Sequence, residues 1–169
     1  MNKHKISGVA HKLDDDINTD YIIAGKYTKT LDYQALAEHL FEDLDAELAA
    51  KLRPGDFIVA GDNFGCGSSR EQAALAIKYA GIGAVLAKSF ARIFFRNAIN
   101  LGLPALVCDT DKIGQGQRLE LDLAANAVLN LDTGQHLAVA PLSQVMLGIL
   151  REGGLVAYLQ RHGEFVVEE

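Results

Sequence analysis

The centre of the chain alternates short apolar runs with stretches of helical period. Residues 57–60 (FIVA), 84–87 (AVLA) and 105–108 (ALVC) are continuous apolar runs of strand length, the pattern of strands buried on both faces. Between the first two, EQAALAIKYAG repeats apolar positions at helical spacing and ends at Gly81. Between the second and third, ARIFFRNAINLG does the same and closes at Gly102. Strand, helix, strand, helix, strand in such short steps predicts parallel strands with right-handed crossovers.

The flanks are read in the same way. Residues 5–11 (KISGVAH) predict an earlier strand, followed by the acidic turn DDDINTD ending at Asp20, a brief apolar YIIAG and a polar segment over 26–32. A helix is expected over about residues 32–43, with Leu36, Leu40 and Phe41 on one face and Asp32 as N-cap. A second is expected over 45–52, stopped by Arg53-Pro54-Gly55. After residue 108 the period becomes two: 118–123, 127–132 and 136–140 alternate apolar and polar residues across short turns, predicting an antiparallel meander. A last helix starts after Pro141 and breaks at Gly153-Gly154. The expected fold class is α/β, a parallel βαβ core with an added antiparallel β meander, forming a single domain over residues 1–169.

Composition narrows the function classes. A chain of 169 residues, 49% apolar and 22% charged, builds a core without metal or disulfide staples. Its net charge of −6 argues against an electrostatic nucleic-acid binder, which carries a basic patch or stripe. No apolar run reaches membrane-spanning length and the first residues lack the apolar core of a signal peptide, so a cytoplasmic protein with no membrane partner is expected. The two cysteines, Cys66 and Cys108, show no ligand spacing. A disulfide between them is not expected in a reducing compartment, and two thiols are too few for an iron–sulfur cluster. The histidines at 4, 11, 39, 136 and 162 are scattered and receive no role.

The chemistry concentrates in GDNFGCGSSRE, which follows the 57–60 strand and precedes a helix. In open α/β sheets that is where ligands bind. Gly61, Gly65 and Gly67 allow unusual backbone angles and close approach of a ligand, and a helix beginning near Ser68 or Ser69 presents free N–H groups to an anion. Arg70 adds a planar fork suited to a carboxylate. Ser68-x-x-Glu71 and Ser69-x-x-Gln72 both fit a capping box; if one serine caps, the other hydroxyl lies beside an arginine and a helix start, which favour an alkoxide. The competing reading of the same residues is a well-capped helix start and nothing more. The phosphate-binding GxxxxGK[ST] loop, the dinucleotide fingerprint and the GxSxG elbow are all absent.

GDNFGCGSSREQAALA resembles the signature of the swivel domain of the aconitase superfamily, and DDDINTDYIIAGKY and KSFARIFFRNAINLGL resemble two further blocks of that family. The likeness covers roughly residues 10–110 in order, and the chain length is similar to that of the family's separate small subunits, those of isopropylmalate isomerase and homoaconitase. The resemblance implies a hydro-lyase site shared between two chains. This chain would hold no cofactor, and a large subunit, in a heterodimer or heterotetramer, would carry a [4Fe–4S] cluster with one open iron acting as Lewis acid. By motif position Ser68 would be the base and Asp20 an acidic catalytic residue, with an Asx-turn closing the loop as its competing reading. Ser69, Arg70 and Gly67 would hold a substrate carboxylate. Arg92 and Arg96 lie on the predicted helix, where solvent pairing with a carboxylate is the favoured reading and reach of one of them into the site the alternative, and Cys66 is read as loop filler.

The segment Gly25-Lys26-Tyr27-Thr28-Lys29-Thr30 falls where the family meets the variable part of its substrate. Lys29 departs from both the apolar residue and the arginine found there in the family. A lysine either binds a third carboxylate or lays its stem over an apolar substituent. With Tyr27 and Ile22-Ile23 expected to line an apolar pocket, isopropylmalate is favoured and leucine biosynthesis is the implied setting. Homoaconitate and alkylmalates, dicarboxylate or tricarboxylate hydroxy acids alike, remain alternatives, as does a non-catalytic organic-anion module.

Overall fold

In the computed structural model, which describes residues 4–165, β1 (Lys5–Lys12) is the seam between the two expected halves. It pairs in parallel with β2 (Phe57–Val59) on one side and antiparallel with β5 (Arg118–Asp122) on the other. Beyond β2 lie β3 (Ala84–Ala87) and β4 (Ala105–Val107), both parallel. Beyond β5 lie β6 (Ala127–Asn130) and β7 (His136–Leu137), both antiparallel. The order is β4-β3-β2-β1-β5-β6-β7. After β7, Val139 bridges Cys108, and the Ala140 N–H donates to Val107 O at 2.9 Å. The sheet thus curls until the continuations of its outer strands meet, which protects edges that would otherwise invite pairing with other chains. Of the expected domain over 1–169, residues 1–3 and 166–169 lie outside the described residues.

The continuous apolar runs are explained by burial on two faces. Phe57, Val59, Ala84, Leu86 and Leu106 point to a core shared with Leu119, Leu121, Val128 and Leu137 of the meander. Their neighbours Ile58, Ala60, Val85, Ala87 and Ala105 point the other way, to a second core under the helices. Those helices are α1 (Thr19–Ile22), α2 (Tyr33–Glu38), α3 (Leu48–Lys51), α4 (Glu71–Tyr79) and α5 (Arg92–Asn100). At the far end of the chain, α6 (Gln144–Glu152) starts at a Ser143 cap and stops at Gly153, and α7 (Leu155–His162) follows. None of the described helices is long and apolar enough to cross a membrane.

Several expectations are corrected by packing. Asp32 caps α2 through Gln34 N and Ala35 N, yet the helix stops at Glu38 instead of reaching 43. Phe41 adopts φ +59° and its N–H bonds Ile22 O, a departure from helix that drives both Leu40 and Phe41 fully into the core. The second helix is a single turn, α3, before Pro54-Gly55. β6 ends at Asn130 instead of reaching 132, because Asn130 Oδ1 accepts from the amides of Asp132 and Thr133 and starts the turn early, and β7 covers only His136–Leu137. The helices α1 and α7 were not foreseen: the first is too short to show a period, and the second lies beyond a Gly-Gly pair read as an end.

One histidine left without a role has a structural one. His11 is buried in β1, with Nε2 2.8 Å from Asp56 Oδ2. The same carboxylate accepts from the amides of Val9 at 3.0 Å and Arg53 at 2.9 Å, tying the start of β2 to β1. Burial pushes the Asp56 carboxyl up, but the Val9 amide, His11 and the Arg53 amide outweigh it, so the group is held below its ordinary value. Asp56→Ala leaves these donors unmet, and the expected loss at pH 7 is about 3 kcal/mol, read from denaturant unfolding. Because the folded-state value is depressed, this stabilisation is complete above the ordinary aspartate pKa of about 4 and fades as pH falls through the lower folded value. A loss under about 1 kcal/mol at pH 7, or one that persists unchanged at lower pH, would contradict this role.

Candidate functional site

The loops that leave β1, β2 and β3 do not separate at the ends of their strands. Leu13 N donates to Val59 O, Asp16 N to Asp62 O, Gly61 N to Asp14 O, Gly65 N to Ile17 O and Thr19 N to Cys66 O, at 2.7–3.3 Å. On the other side Ala60 N donates to Leu86 O, Lys88 N to Gly61 O, Phe64 N to Ser89 O and Ala91 N to Phe64 O, at 2.8–3.1 Å. Side chains add to the zipper: Asp62 N bonds Asp15 Oδ1, Asn63 Nδ2 bonds Asp16 Oδ1, and Asn63 N bonds Ser89 Oγ. The acidic run and the glycine-rich loop are thereby one platform.

Two glycines are needed for this approach. A Cβ on Gly61 would lie 1.7 Å from Asp15 Oδ1, and one on Gly65, at φ +81°, would lie 2.3 Å from the ring of Phe94. Phe94 packs edge-on against Phe64 at 5.1 Å between ring centres and fixes the loop from beneath.

On this platform Gly67, Ser68 and Ser69 are exposed and Arg70 is partly buried. The expected capping box does not form. Arg70 itself is the N-cap of α4, with extended backbone angles and no side-chain cap bond, so α4 begins at Glu71. Neither serine hydroxyl is spent on the helix. The Ser68 carbonyl accepts from Thr19 Oγ1 at 2.7 Å, which pins the turn to the platform through its backbone.

Asp20 is brought to Arg70: its Oδ1 lies 2.7 Å from Nη1. That contact is an ion pair out of line for a hydrogen bond, and Nη1, shielded from solvent, has no hydrogen-bond acceptor among the described residues. The Asx-turn considered for Asp20 belongs to its neighbour, since Asn18 Oδ1 accepts from Asp20 N and Tyr21 N.

The segment after Gly25 also reaches this place. A carbon added at Gly25 would sit 3.2 Å from Arg70 Nη1, and Gln72 Nε2 of α4 bonds Thr28 O at 3.3 Å. Lys29 is exposed and makes no ion pair among the described residues. Tyr27 stacks on His39 at 3.8 Å and carries the Lys26 ammonium 5.1 Å from its ring centre. Its phenol is pushed up chiefly by hydrogen bonding to Glu42. Ile22 and Ile23, expected to line an apolar pocket, are instead fully buried in the core.

Thr19, Gly65, Gly67, Ser69 and Arg70 face the first turn of α5 across an open cavity of about 270 Å³. Arg92, an exposed residue, lines it as well, so of the two arginines left open by the sequence it is Arg92 rather than Arg96 that borders the cavity. A larger cavity, about 670 Å³, opens beside Lys12, Asp14, Asp15 and Lys88. It contains neither serine nor Arg70, and its lysines are already engaged, Lys88 by Asp111 and Lys12 by Thr110 O.

The thiols of this chain do not fit an iron–sulfur cluster. Burial pushes the Cys108 thiol up to about 11 and also raises Cys66, where the Asp16 charge adds to it. Neither is an activated thiolate, and two cysteines are fewer than the three or four a cluster takes. Among the described residues no group of three or more His, Cys, Asp or Glu side chains could hold a metal.

Comparison with known proteins identifies the family. The family described as Aconitase C-terminal domain matches residues 4–110. The chain is 54% identical to the 3-isopropylmalate dehydratase small subunit 2 of Archaeoglobus fulgidus, over 96% of this chain and 99% of that one. It is 48% identical to the methanogen homoaconitase small subunit of Methanocaldococcus jannaschii, over 92% of each. The crystal structure of 3-isopropylmalate dehydratase LeuD from M. jannaschii superposes with a TM-score of 0.89, at 47% identity over 94% of this chain and 95% of that one. The chain, with its serine-arginine turn held on three hydrogen-bonded loops, belongs to the aconitase C-terminal domain family.

Proposed function

We propose that this chain is the small subunit of a 3-isopropylmalate dehydratase, one swivel-type domain that supplies the serine base and carboxylate grip to a hydro-lyase site completed by a large subunit. The observation that carries the reading is the Ser68-Ser69-Arg70 turn itself: both hydroxyls are exposed and uncommitted, and the helix they were expected to cap begins without them. A mere helix start would have used one of them.

In this reading Ser69 and the Arg70 guanidinium hold a substrate carboxylate, with Nη1 kept beside Asp20. Ser68, as alkoxide, removes the proton from the carbon next to the carboxylate; the C–O bond on the neighbouring carbon breaks and hydroxide leaves, giving an enoate and a neutral Ser68, the proton and the hydroxide together making up the water lost. Re-addition of water with the hydroxyl on the other carbon completes the isomerisation. Asp20 holds Arg70 in place and marks the acidic catalytic position. The partner's [4Fe–4S] cluster would supply the Lewis acid for the departing hydroxyl. A cytoplasmic heteromer acting in leucine biosynthesis is the setting that fits.

In the complex with its large subunit, Ser68→Ala should lower kcat by roughly 10²–10⁴-fold, the scale of a lost general base, while assembly and KM change little. Retention of more than about a tenth of wild-type turnover would reduce Ser68 to a structural part of the turn.

Lys29 bears on the choice of substrate. If it binds a third carboxylate, Lys29→Ala should cost roughly 2–3 kcal/mol in kcat/KM for homoaconitate. If only its stem packs, the cost for isopropylmalate is about 1 kcal/mol or less. We expect the wild-type complex to prefer isopropylmalate and the variant to retain that preference. A wild-type preference for homoaconitate that collapses in Lys29→Ala would replace isopropylmalate with the tricarboxylate.

A further inference from the structure

The segment after Gly25 approaches Arg70, but little ties it to the rest of the chain. Gly25, Lys26 and Lys29 are exposed, as is Leu31 beyond them. Its backbone bonds are local: Tyr27 N donates to Ala24 O, and Thr28 donates to Gly25 O through both its N–H and its Oγ1. Toward other elements, Gln72 Nε2 reaches Thr28 O at 3.3 Å. A second tether is the ring of Tyr27, partly buried and packed on the core beneath the helices.

That ring lies flat on the imidazole of His39, with centres 3.8 Å apart and planes 4° from parallel. Among the described residues no other ring pair is as close or as flat. One carboxylate serves both rings: Glu42 Oε2 is 3.4 Å from His39 Nδ1, and the Tyr27 phenol is hydrogen-bonded to Glu42. A stack bridged in this way fixes the position and the tilt of Tyr27, whereas the single bond from Gln72 leaves the segment free to pivot.

His39 is in place because α2 stops early. It follows Glu38 with φ −104° and ψ 10°, and its N–H bonds Leu36 O and Ala37 O. Phe41 N then bonds Ile22 O, just upstream of the segment. The turn after α2 is thus fastened to the end of α1 and carries both His39 and Glu42 to Tyr27.

We propose that His39 is a positioning residue: acting through Tyr27, it sets where the 25–30 segment meets the variable part of the substrate and where Gly25 lies against Arg70. The inference rests on the dehydratase reading for its substrate and adds to it a residue outside both the segment and the signature turn.

The test uses the complex of both subunits with 3-isopropylmalate and 3-methylmalate, which share the malate core and differ in the alkyl group. His39→Ala should lower the ratio of kcat/KM for 3-isopropylmalate to that for 3-methylmalate by roughly threefold to tenfold, the scale of a lost stacked pair, and chiefly through KM. His39→Phe keeps a ring under Tyr27 and should return the ratio to within about twofold of wild type. His39→Gln keeps a polar group near Glu42 but no ring, and should not. In the double variant the loss should equal that of Tyr27→Ala alone, because the two residues act as one unit. Hydrogen exchange of the same complex reads placement without turnover: the Tyr27 and Thr28 amides should exchange faster in His39→Ala, while β2 and β3 keep their protection. An unchanged ratio in His39→Ala, a loss that His39→Phe does not repair, or additive losses in the double variant would overturn the proposal. A wild-type complex inactive on both malates would unseat the dehydratase reading instead. Faster exchange in His39→Ala would then keep His39 as the anchor of the segment, and unchanged exchange would remove that role as well.

Discussion

The site depends on hydrogen bonding that continues past the ends of three parallel strands. β2 and β3 are short, yet the loops that follow β1, β2 and β3 stay paired through Gly65 N to Ile17 O, Thr19 N to Cys66 O and Phe64 N to Ser89 O. Most loops buy freedom by giving up such bonds; these keep them and expose only the turn at their end. Gly61 and Gly65 make the approach possible, because any side chain there would collide with Asp15 or Phe94. The exposed serines therefore sit on a scaffold nearly as constrained as the sheet, which is what a preorganised binding or catalytic group requires.

The same constraint separates the roles of neighbouring residues. Thr19 fixes the backbone of Ser68 and leaves its hydroxyl free. Asn18 takes over the local turn, so the Asp20 carboxylate is available to Arg70. Tyr27, stacked on His39, anchors the 25–30 segment where it approaches Arg70. Substitution at Tyr27 would act through the placement of that segment, whereas Lys29 is exposed and open to a ligand.

Much of this was legible in the sequence where the signal is local. The strands at 57, 84 and 105 were readable because burial on two faces demands unbroken apolar runs, and the meander because one-sided burial demands alternation. The position of Ser-Ser-Arg between a strand and a helix was readable for the same reason. What was not readable depends on partners far apart in the chain: β1 as the seam of the sheet, the meeting of Val139 with Cys108, and the burial of His11 against Asp56. The capping-box pattern misled because it scores a serine and a glutamate three residues apart and ignores the pull of the platform, which holds Arg70 extended and starts the helix later. Arg92 is a surface residue, as its segment suggests; which of Arg92 and Arg96 borders the cavity was not readable, because nothing in that segment reveals that α5 begins across a cleft from α4.

The central claim is that the half-site is built before substrate or partner arrives. Amide hydrogen exchange of the chain on its own tests it most directly. The account expects the N–H groups of Gly65, Thr19, Phe64 and Ala91, which carry the inter-loop bonds, to be protected to a degree comparable with β2 and β3, while the amides of Ser68 and Ser69 exchange quickly. Rapid exchange at all of these positions, with protection gained only when the large subunit is added, would contradict it and make the platform a product of assembly.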